Sequence, residues 1–381
     1  MTIHWCGTGL SAIPGLRRLI EAGLDVTVWN RTTAKAQDAV GDLTQDIKAF
    51  SIEALEADLA AGDVVVSMLP GDMHVPLAKL AIAASAHFVS SSYIAPEMRA
   101  LDQAARDAGV ALVNEVGLDP GIDHLMAHDL VADYRASTGF DARNELSFVS
   151  YCGGVPKEAN DFRYKFSWSP LGVLKALRSP SKSIRDFKEF NVARPWDALG
   201  AYDAPLEVPE SFEVYPNRDS LPFMEDYGFD KSWKVREFVR GTLRLNGWAA
   251  AWADVFTEIE TLSGDAGEAR LKEMSDQFWD AHSYNEGEAD RVVMCVSLKA
   301  EKDGATVWHK TWAMDAWGDA TSTAMARLVS NPVSLAIEAV IAGTIAPGVS
   351  AAPSDPALVK SWLGTVDTLS QQLHKNDHLS A

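Results

Sequence analysis

Gly7-Thr8-Gly9-Leu10-Ser11-Ala12 is a GxGxxA string that follows the apolar run Ile3 to Cys6 and precedes Ile13, Leu16, Leu19 and Ile20 at helical spacing. The chemistry open to such a string is pyrophosphate binding. The first glycine makes a tight turn, the second lets backbone approach the phosphates, and a small third residue admits close helix packing. Free N–H groups at the helix start then face the negative charge. An ordinary tight turn is the competing reading, and the strand-turn-helix setting decides against it. About twenty residues further on, where a dinucleotide enzyme using NAD places an Asp or Glu on the ribose, the chain has Trp29-Asn30-Arg31-Thr32. A guanidinium flanked by Asn30 and Thr32 suits a 2′-phosphate, which points to NADP with NAD as the alternative. A solvated turn is the bland reading of Arg31.

Two more segments belong with this string. Ser67-Met68-Leu69-Pro70 and Ser90-Ser91-Ser92-Tyr93 close apolar runs, and ligands lie beyond the carboxyl ends of parallel strands, so both are expected at the nicotinamide end. Asn114-Glu115-Val116-Gly117-Leu118-Asp119-Pro120-Gly121-Ile122-Asp123-His124 brings Asp, Pro, Gly and His together where a last strand feeds a new helix. Asp119 reads either as an N-cap or as a carboxylate beside substrate and cofactor.

The elements that must hold these residues follow from periodicity. Ile3 to Cys6, Asp25 to Trp29, Lys48 to Phe50, Val64 to Leu69, His87 to Ser90 and Ala111 to Val113 read as strands alternating with helical patterns. That alternation predicts an α/β fold, a doubly wound parallel sheet of Rossmann type over residues 1–118. A helix from about Ile122 to Ser137 and runs at Glu145 to Tyr151, Lys234 to Val239, Val292 to Leu298 and Thr306 to Met314 predict a second α+β domain, 119–319, with a mixed sheet. Pro-rich loops are expected between Arg194 and Glu210. Residues 320–381 are expected to pack back on the first domain.

With 381 residues and 47% apolar content the chain can bury two cores. Its 34 Lys and Arg against 53 Asp and Glu give a net charge of -19, which disfavours nucleic acid or an anionic membrane as partner. Cys6, Cys152 and Cys295 have no CxxC spacing, which fits a reducing cytoplasm. No signal-peptide pattern opens the chain, no apolar run nears the roughly 18 residues of a span, and no zinc spacing occurs. The expectation is a cytoplasmic protein without metal.

The string NEVGLDPGIDH, residues 114–124, resembles the signature of glutamate-forming saccharopine dehydrogenases. Ser150 to Pro156 (SYCGGVP), Arg163 to Ser169 (RYKFSWS), Tyr215 to Ser220 (YPNRDS) and Arg240 to Arg244 (RGTLR) agree in order, and Ser322 to Ala326 agrees more loosely. The resemblance spans roughly residues 1–345. It implies a homodimeric oxidoreductase that passes hydride between a nicotinamide and the carbon next to a secondary amine. It also implies substrate contacts at Ser92, Tyr93, Asp119, Arg218, Thr242, Leu243 and Arg244, with Leu118, Asp119, Pro120 and Ser167 at the cofactor beside Leu69. The two arginines would clamp carboxylates; ion pairs to Asp219, Glu225 or Glu237 are the alternative. Asp119, Tyr93 and Cys152 are candidate catalytic groups, and Lys165 is a further acid–base candidate, with the role assigned firmly to none. Only Asn246 to Arg291 stands where the family carries a long helical insertion. A carboxynorspermidine-type imine is therefore the alternative substrate, and a non-catalytic nucleotide-binding protein the alternative class.

Overall fold

The computed structural model describes residues 1–380, which form two compact units: Met1–Leu125 with Ala326–Leu363, and Met126–Met325 with the residues from Gly364 onward. The boundaries fall inside helices rather than at 118 and 320.

The first unit runs β1 (Ile3–Cys6), α1 (Ile13–Glu21), β2 (Val26–Asn30), α2 (Thr33–Val40), β3 (Ile47–Ala49), α3 (Ile52–Asp58), β4 (Val64–Ser67), α4 (His74–Ala83), β5 (His87–Ser90), α5 (Pro96–Arg99), α6 (Asp102–Ala108) and β6 (Ala111–Val113). All pairings are parallel, in the order β3-β2-β1-β4-β5-β6, and Gly348–Ser350 adds a seventh strand beside β6. Strands covered on both faces are mainly apolar, and Val64, Val65 and Val66 are all fully buried. Strand order reverses between β1 and β4. Cys6 stands level with Ser67, so the loops leaving both strands open side by side at the switch point where such sheets bind ligands.

The second unit holds most of α7 (Ile122–Ala136), then β7 (Glu145–Pro156), α8 (Pro170–Leu177), β8 (Ser181–Arg185), β9 (Lys188–Val192), β10 (Gly200–Ala204), β11 (Glu210–Pro216), α9 (Pro222–Asp226), β12 (Lys234–Leu245), α10 (Trp248–Ala251), α11 (Ala253–Thr261), α12 (Gly264–His282), β13 (Asp290–Lys302) and β14 (Ala305–Trp317). α13 (Ala324–Ile341), β15 (Gly348–Ser350), α14 (Pro356–Leu369) and β16 (Gln372–Asp377) complete the chain. The sheet order is β10-β11-β12-β7-β13-β14-β16, antiparallel except for β12 with β7. Its edges come together. Asn376 Nδ2 donates to Pro205 O at 2.8 Å and His374 Nε2 lies 3.1 Å from the same oxygen, so the sheet curls around Tyr151, Phe212, Leu243, Val293 and Cys295. Its other face carries an aromatic layer in which Tyr164, Phe166, Trp248, Trp252 and Phe256 pack with α8 and α12. The interval from Asn246 to Arg291 thus holds three helices that share one core with Tyr164, Phe166, Tyr215 and α8.

Two expectations are corrected. β10 lies in the stretch read as Pro-rich loop: its sequence Gly-Ala-Tyr-Asp-Ala has little strand propensity, and pairing with β11 makes it an edge strand. The C-terminal segment does not return whole to the first unit. Ala326–Leu363 does, but β16 pairs with β14, and Lys375 Nζ pins it to Asp129 at 2.8 Å and Asp133 at 3.1 Å on α7. α13 has the length and mean hydropathy of a membrane span, yet it is largely buried within the fold.

Candidate functional site

In the first unit the turn after β1 is built as the glycine pattern requires. Gly7 has φ of +106°, and a Cβ there would stand 2.7 Å from Met68 O, so only glycine makes this turn. A Cβ on Gly9 would meet nothing within 4 Å, which leaves its backbone open to a ligand. α1 has Ala12 at its N-cap and no cap bond from that residue; Pro14 carries no N–H and Gly15 N is taken by Ser330 Oγ, so of the first turn the Ile13 N–H is left for an anion. Thr8 Oγ1 is buried without a hydrogen-bond partner, and Thr8 N donates to Asn30 Oδ1 at 3.3 Å. Asn30 Nδ2 in turn donates to Thr32 O at 2.7 Å, which ties the end of β2 to the glycine loop. Exposed Leu10 and half-buried Ser11 complete the turn, and exposed Arg31 forms no ion pair among the described residues. An orphaned hydroxyl, an open glycine backbone and an unpaired guanidinium fit a phosphorylated dinucleotide. The sequence reading missed Gly15. A Cβ there would fall 2.0 Å from Ser330 O, and Gly15 N donates to Ser330 Oγ at 2.8 Å, so this glycine lets α1 lie against α13.

The ends of β4 and β5 carry a second group of contacts. Half-buried Leu69 follows Ser67. His74, at the start of α4, joins two serines: Ser67 Oγ lies 2.8 Å from Nδ1 and Ser92 Oγ 2.7 Å from Nε2. Burial pushes its pKa down to about 4, so the ring is neutral at physiological pH. No sequence pattern joins a strand end to a histidine seven residues on, and this residue went unassigned. Beyond Ser92, the Tyr93 hydroxyl donates to Asp119 Oδ1 at 3.1 Å. Glu115 brackets this tyrosine: its N–H donates to Ser92 O at 3.0 Å and its Oε1 accepts from Ile94 N at 2.8 Å. Its Oε2 lies 3.0 Å from buried His124 Nε2. Leu118 and Pro120 are buried on either side of half-buried Asp119, and the Asp119-Pro120 peptide is cis. A Cβ on Gly121 would stand 2.1 Å from Gly117 O, so the 117–121 turn can close only with glycine there. The arrangement aims a carboxylate and a phenol at one place and could hold an ammonium or orient a proton.

In the second unit the register places Tyr215, Thr242 and Cys152 in one row across β11, β12 and β7. Asn217 Nδ2 donates to Thr242 Oγ1 at 2.9 Å. Two residues along β12 on the same face, Arg244 is 6% exposed and enclosed by aromatic rings: its guanidinium carbon lies 4.9 Å from the Tyr164 centroid, 5.5 Å from Tyr215 and 5.4 Å from Trp248. Its Nη1 donates to Leu243 O at 3.1 Å, and no carboxylate pairs with it among the described residues. The ion-pair alternative for Arg244 is thus not what the fold builds. Alternation along the strand turns Glu237 to the opposite face, where burial raises its pKa. Arg244 Nε, Trp248 Nε1 and Asn217 Oδ1 are all buried without partners, an unusual concentration of unpaired polar atoms. Arg218 is exposed just past β11 with φ of +53°. Ser167 is buried in this unit, and Lys165 is engaged with Glu288 at 2.5 Å. Strand alternation puts the Leu243 side chain, fully buried, in the sheet's apolar interior, away from the Arg244 face.

Residues 7–113 match the Saccharopine dehydrogenase NADP binding domain, and residues 117–368 match the Saccharopine dehydrogenase C-terminal domain. The saccharopine dehydrogenase [NADP(+), L-glutamate-forming] of Pyricularia oryzae is 38% identical over 267 residues, 68% of this chain and 57% of that protein. The alpha-aminoadipic semialdehyde synthase of Bos taurus is 36% identical over 218 residues, 56% of this chain and 23% of that one. The chain therefore spans little more than half of the first of these relatives and about a quarter of the second. The apo saccharopine dehydrogenase (L-Glu forming) of Saccharomyces cerevisiae superposes with a TM-score of 0.80 at 27% identity, covering 99% of each chain. Homospermidine synthase of Legionella pneumophila shares the fold, with a TM-score of 0.65 at 9% identity over 99% of this chain and 91% of that one. The cradle at β1 and the caged arginine of β12 each lie within one of the two matched domains, and the chain belongs to the saccharopine dehydrogenase family.

Proposed function

We propose that this chain oxidises saccharopine with NADP. Hydride leaves the side-chain methylene next to the bridging nitrogen for the nicotinamide, and the nitrogen loses its proton. Water then splits the imine into L-glutamate and aminoadipate semialdehyde; the reverse reduction uses the same groups. The observation that carries this reading is Arg244, a buried guanidinium with an aromatic enclosure and no carboxylate of its own. A charge so placed calls for an anionic ligand, and saccharopine brings three carboxylates. Exposed Arg218 is the second clamp, and Thr242 a neutral donor beside Cys152 in the same row. Asp119 and Tyr93 would meet an amine, with Leu69, Leu118, Pro120 and Ser167 at the nicotinamide. When bound, the cofactor supplies the hydride acceptor; the chain's own residues orient and desolvate the reacting carbon. A homodimer in a reducing cytoplasm completes the reading, supported by the family resemblance and by three buried free cysteines.

The test is absorbance of the reduced nicotinamide at saturating saccharopine, with NADP and NAD in parallel and glutamate assayed. Reduction of NADP with equal glutamate release is expected; no reduction of either cofactor would remove the reading. Arg31→Asp should raise KM for NADP by about tenfold or more relative to that for NAD, the loss of a charge-assisted contact plus added repulsion.

A further inference from the structure

The hydrogen bonds around His74 admit one ring state that satisfies every buried atom. Ser67 is fully buried, and its hydroxyl has one partner, His74 Nδ1 at 2.8 Å. A hydroxyl carries one proton and needs an acceptor for it. Were the ring proton on Nδ1, Ser67 would have to accept, and its own proton would sit unpaired in the core, a state that buried hydroxyls avoid. Ser67 therefore donates to Nδ1 and the ring proton lies on Nε2. Nε2–H then donates to Ser92 Oγ at 2.7 Å, which leaves the O–H of half-buried Ser92 to be given elsewhere.

We propose that His74 is a positioning residue that holds the Ser92 hydroxyl as a donor toward a carbonyl-type oxygen of the bound ligand, so that the Ser67–His74–Ser92 chain selects an acceptor there over an ammonium. The inference rests on reading the carboxyl ends of β4 and β5 as the nicotinamide and substrate end. Two ligand groups have the required chemistry: the carboxamide of the nicotinamide and a carboxylate of the amino-acid substrate. Burial keeps the ring neutral through physiological pH, so a fixed tautomer rather than a charge sets the direction of the bonds.

The first measurement is nitrogen-15 NMR of the His74 ring in the free full-length protein, assigned by loss of the signals in His74→Gln. A proton on Nε2 with Nδ1 bare is expected, and a proton on Nδ1 overturns the proposal without reference to any substrate. The second measurement compares His74→Gln, which keeps an N–H near the Nε2 position, with His74→Asn, which does not reach Ser92. His74→Asn should weaken one ligand about three- to tenfold, the worth of one hydrogen bond. His74→Gln should recover most of that at an equal melting temperature. Removing Ser92 as well, by Ser92→Ala in the His74→Asn protein, should cost little more. A rise in the NADP dissociation constant, followed by fluorescence, assigns the acceptor to the carboxamide; a rise confined to KM for saccharopine assigns it to a substrate carboxylate. No rise in either, or equal loss in the Gln and Asn variants, overturns the proposal. If the unaltered protein does not oxidise saccharopine, the functional reading fails alone, since the ring state and cofactor binding still decide this inference.

Discussion

Arg244 and Leu243 are neighbours in one matched string, yet alternation along β12 gives them opposite fates: the arginine faces its aromatic enclosure and the leucine the interior of the curled sheet. Keeping an unpaired guanidinium buried costs stability, and replacing buried charge by an apolar side chain of similar volume is often neutral or stabilising. Arg244→Met should therefore hold or raise the melting temperature of the free protein. It should also raise KM for saccharopine by about two orders of magnitude, the usual effect of truncating a buried charged contact, while NADP binding stays unchanged. Denaturation scans and steady-state kinetics read the two effects separately. A large fall in melting temperature with normal KM would make Arg244 a structural residue. The type and position of this arginine were legible in the RGTLR match; its lack of a carboxylate partner was not, because that depends on which side chains the fold brings near it. His74 was illegible for a similar reason. Its partners Ser67 and Ser92 close different strands, and only the parallel pairing of β4 with β5 brings their ends together.

At the scale of elements, the start of α1 shows how a motif glycine, Gly9, and a helix glycine, Gly15, do different work. A Cβ on Gly15 would lie 2.0 Å from Ser330 O and 2.5 Å from Ser330 C, backbone atoms of α13 that cannot rotate away. Gly15→Ala must push the two helices apart, at a cost of about 1–3 kcal/mol typical of overpacking, and displaces the helix start that faces the phosphates. A Cβ on Gly9 has open space around it. Gly9→Ala should leave the unfolding free energy within about 0.5 kcal/mol, as a surface change does, yet abolish tight NADP binding. Urea denaturation with a cofactor titration checks both, and equal stabilities for the two variants would refute the packing role of Gly15. Sequence periodicity located β1, β5 and β6 to the residue because short parallel strands covered on both faces read as mainly apolar runs between helical patterns. It did not locate β10 or β16. Gln372–Asp377 is polar along its whole length, and its strand state comes from its pairing with β14 and from Lys375 between two aspartates.

For the whole molecule, burial sets the response to acid. The pKa values of His74 and His309 are pushed down to about 4, and those of His87, His282 and His378 also lie below the ordinary value of 6.5, in each case chiefly through burial. Each such ring binds its proton more weakly folded than unfolded. Its contribution to stability is complete above about pH 6.5 and is lost as pH falls through that value toward 4. At pH 5 His74 alone accounts for about 2 kcal/mol, taking its folded value near 4. Below about pH 4 the carboxylates follow in the same direction: Asp133, held low by Lys310 and Lys375, loses its contribution as pH drops through its depressed pKa. The net charge of -19 opposes this, because acid relieves its self-repulsion. That repulsion acts between solvated charges and fades at high ionic strength, whereas the buried His74 imidazole is little screened. In about 0.5 M salt, where exposed charges are screened within a few ångströms, the unfolding free energy from urea titration should therefore fall between pH 7.5 and pH 5. The drop should be at least the His74 contribution, and His74→Gln should shrink it by about 2 kcal/mol. A flat profile would mean that these rings reach water in the folded protein, and with it His74 would lose the neutral state on which its bond to Ser92 depends.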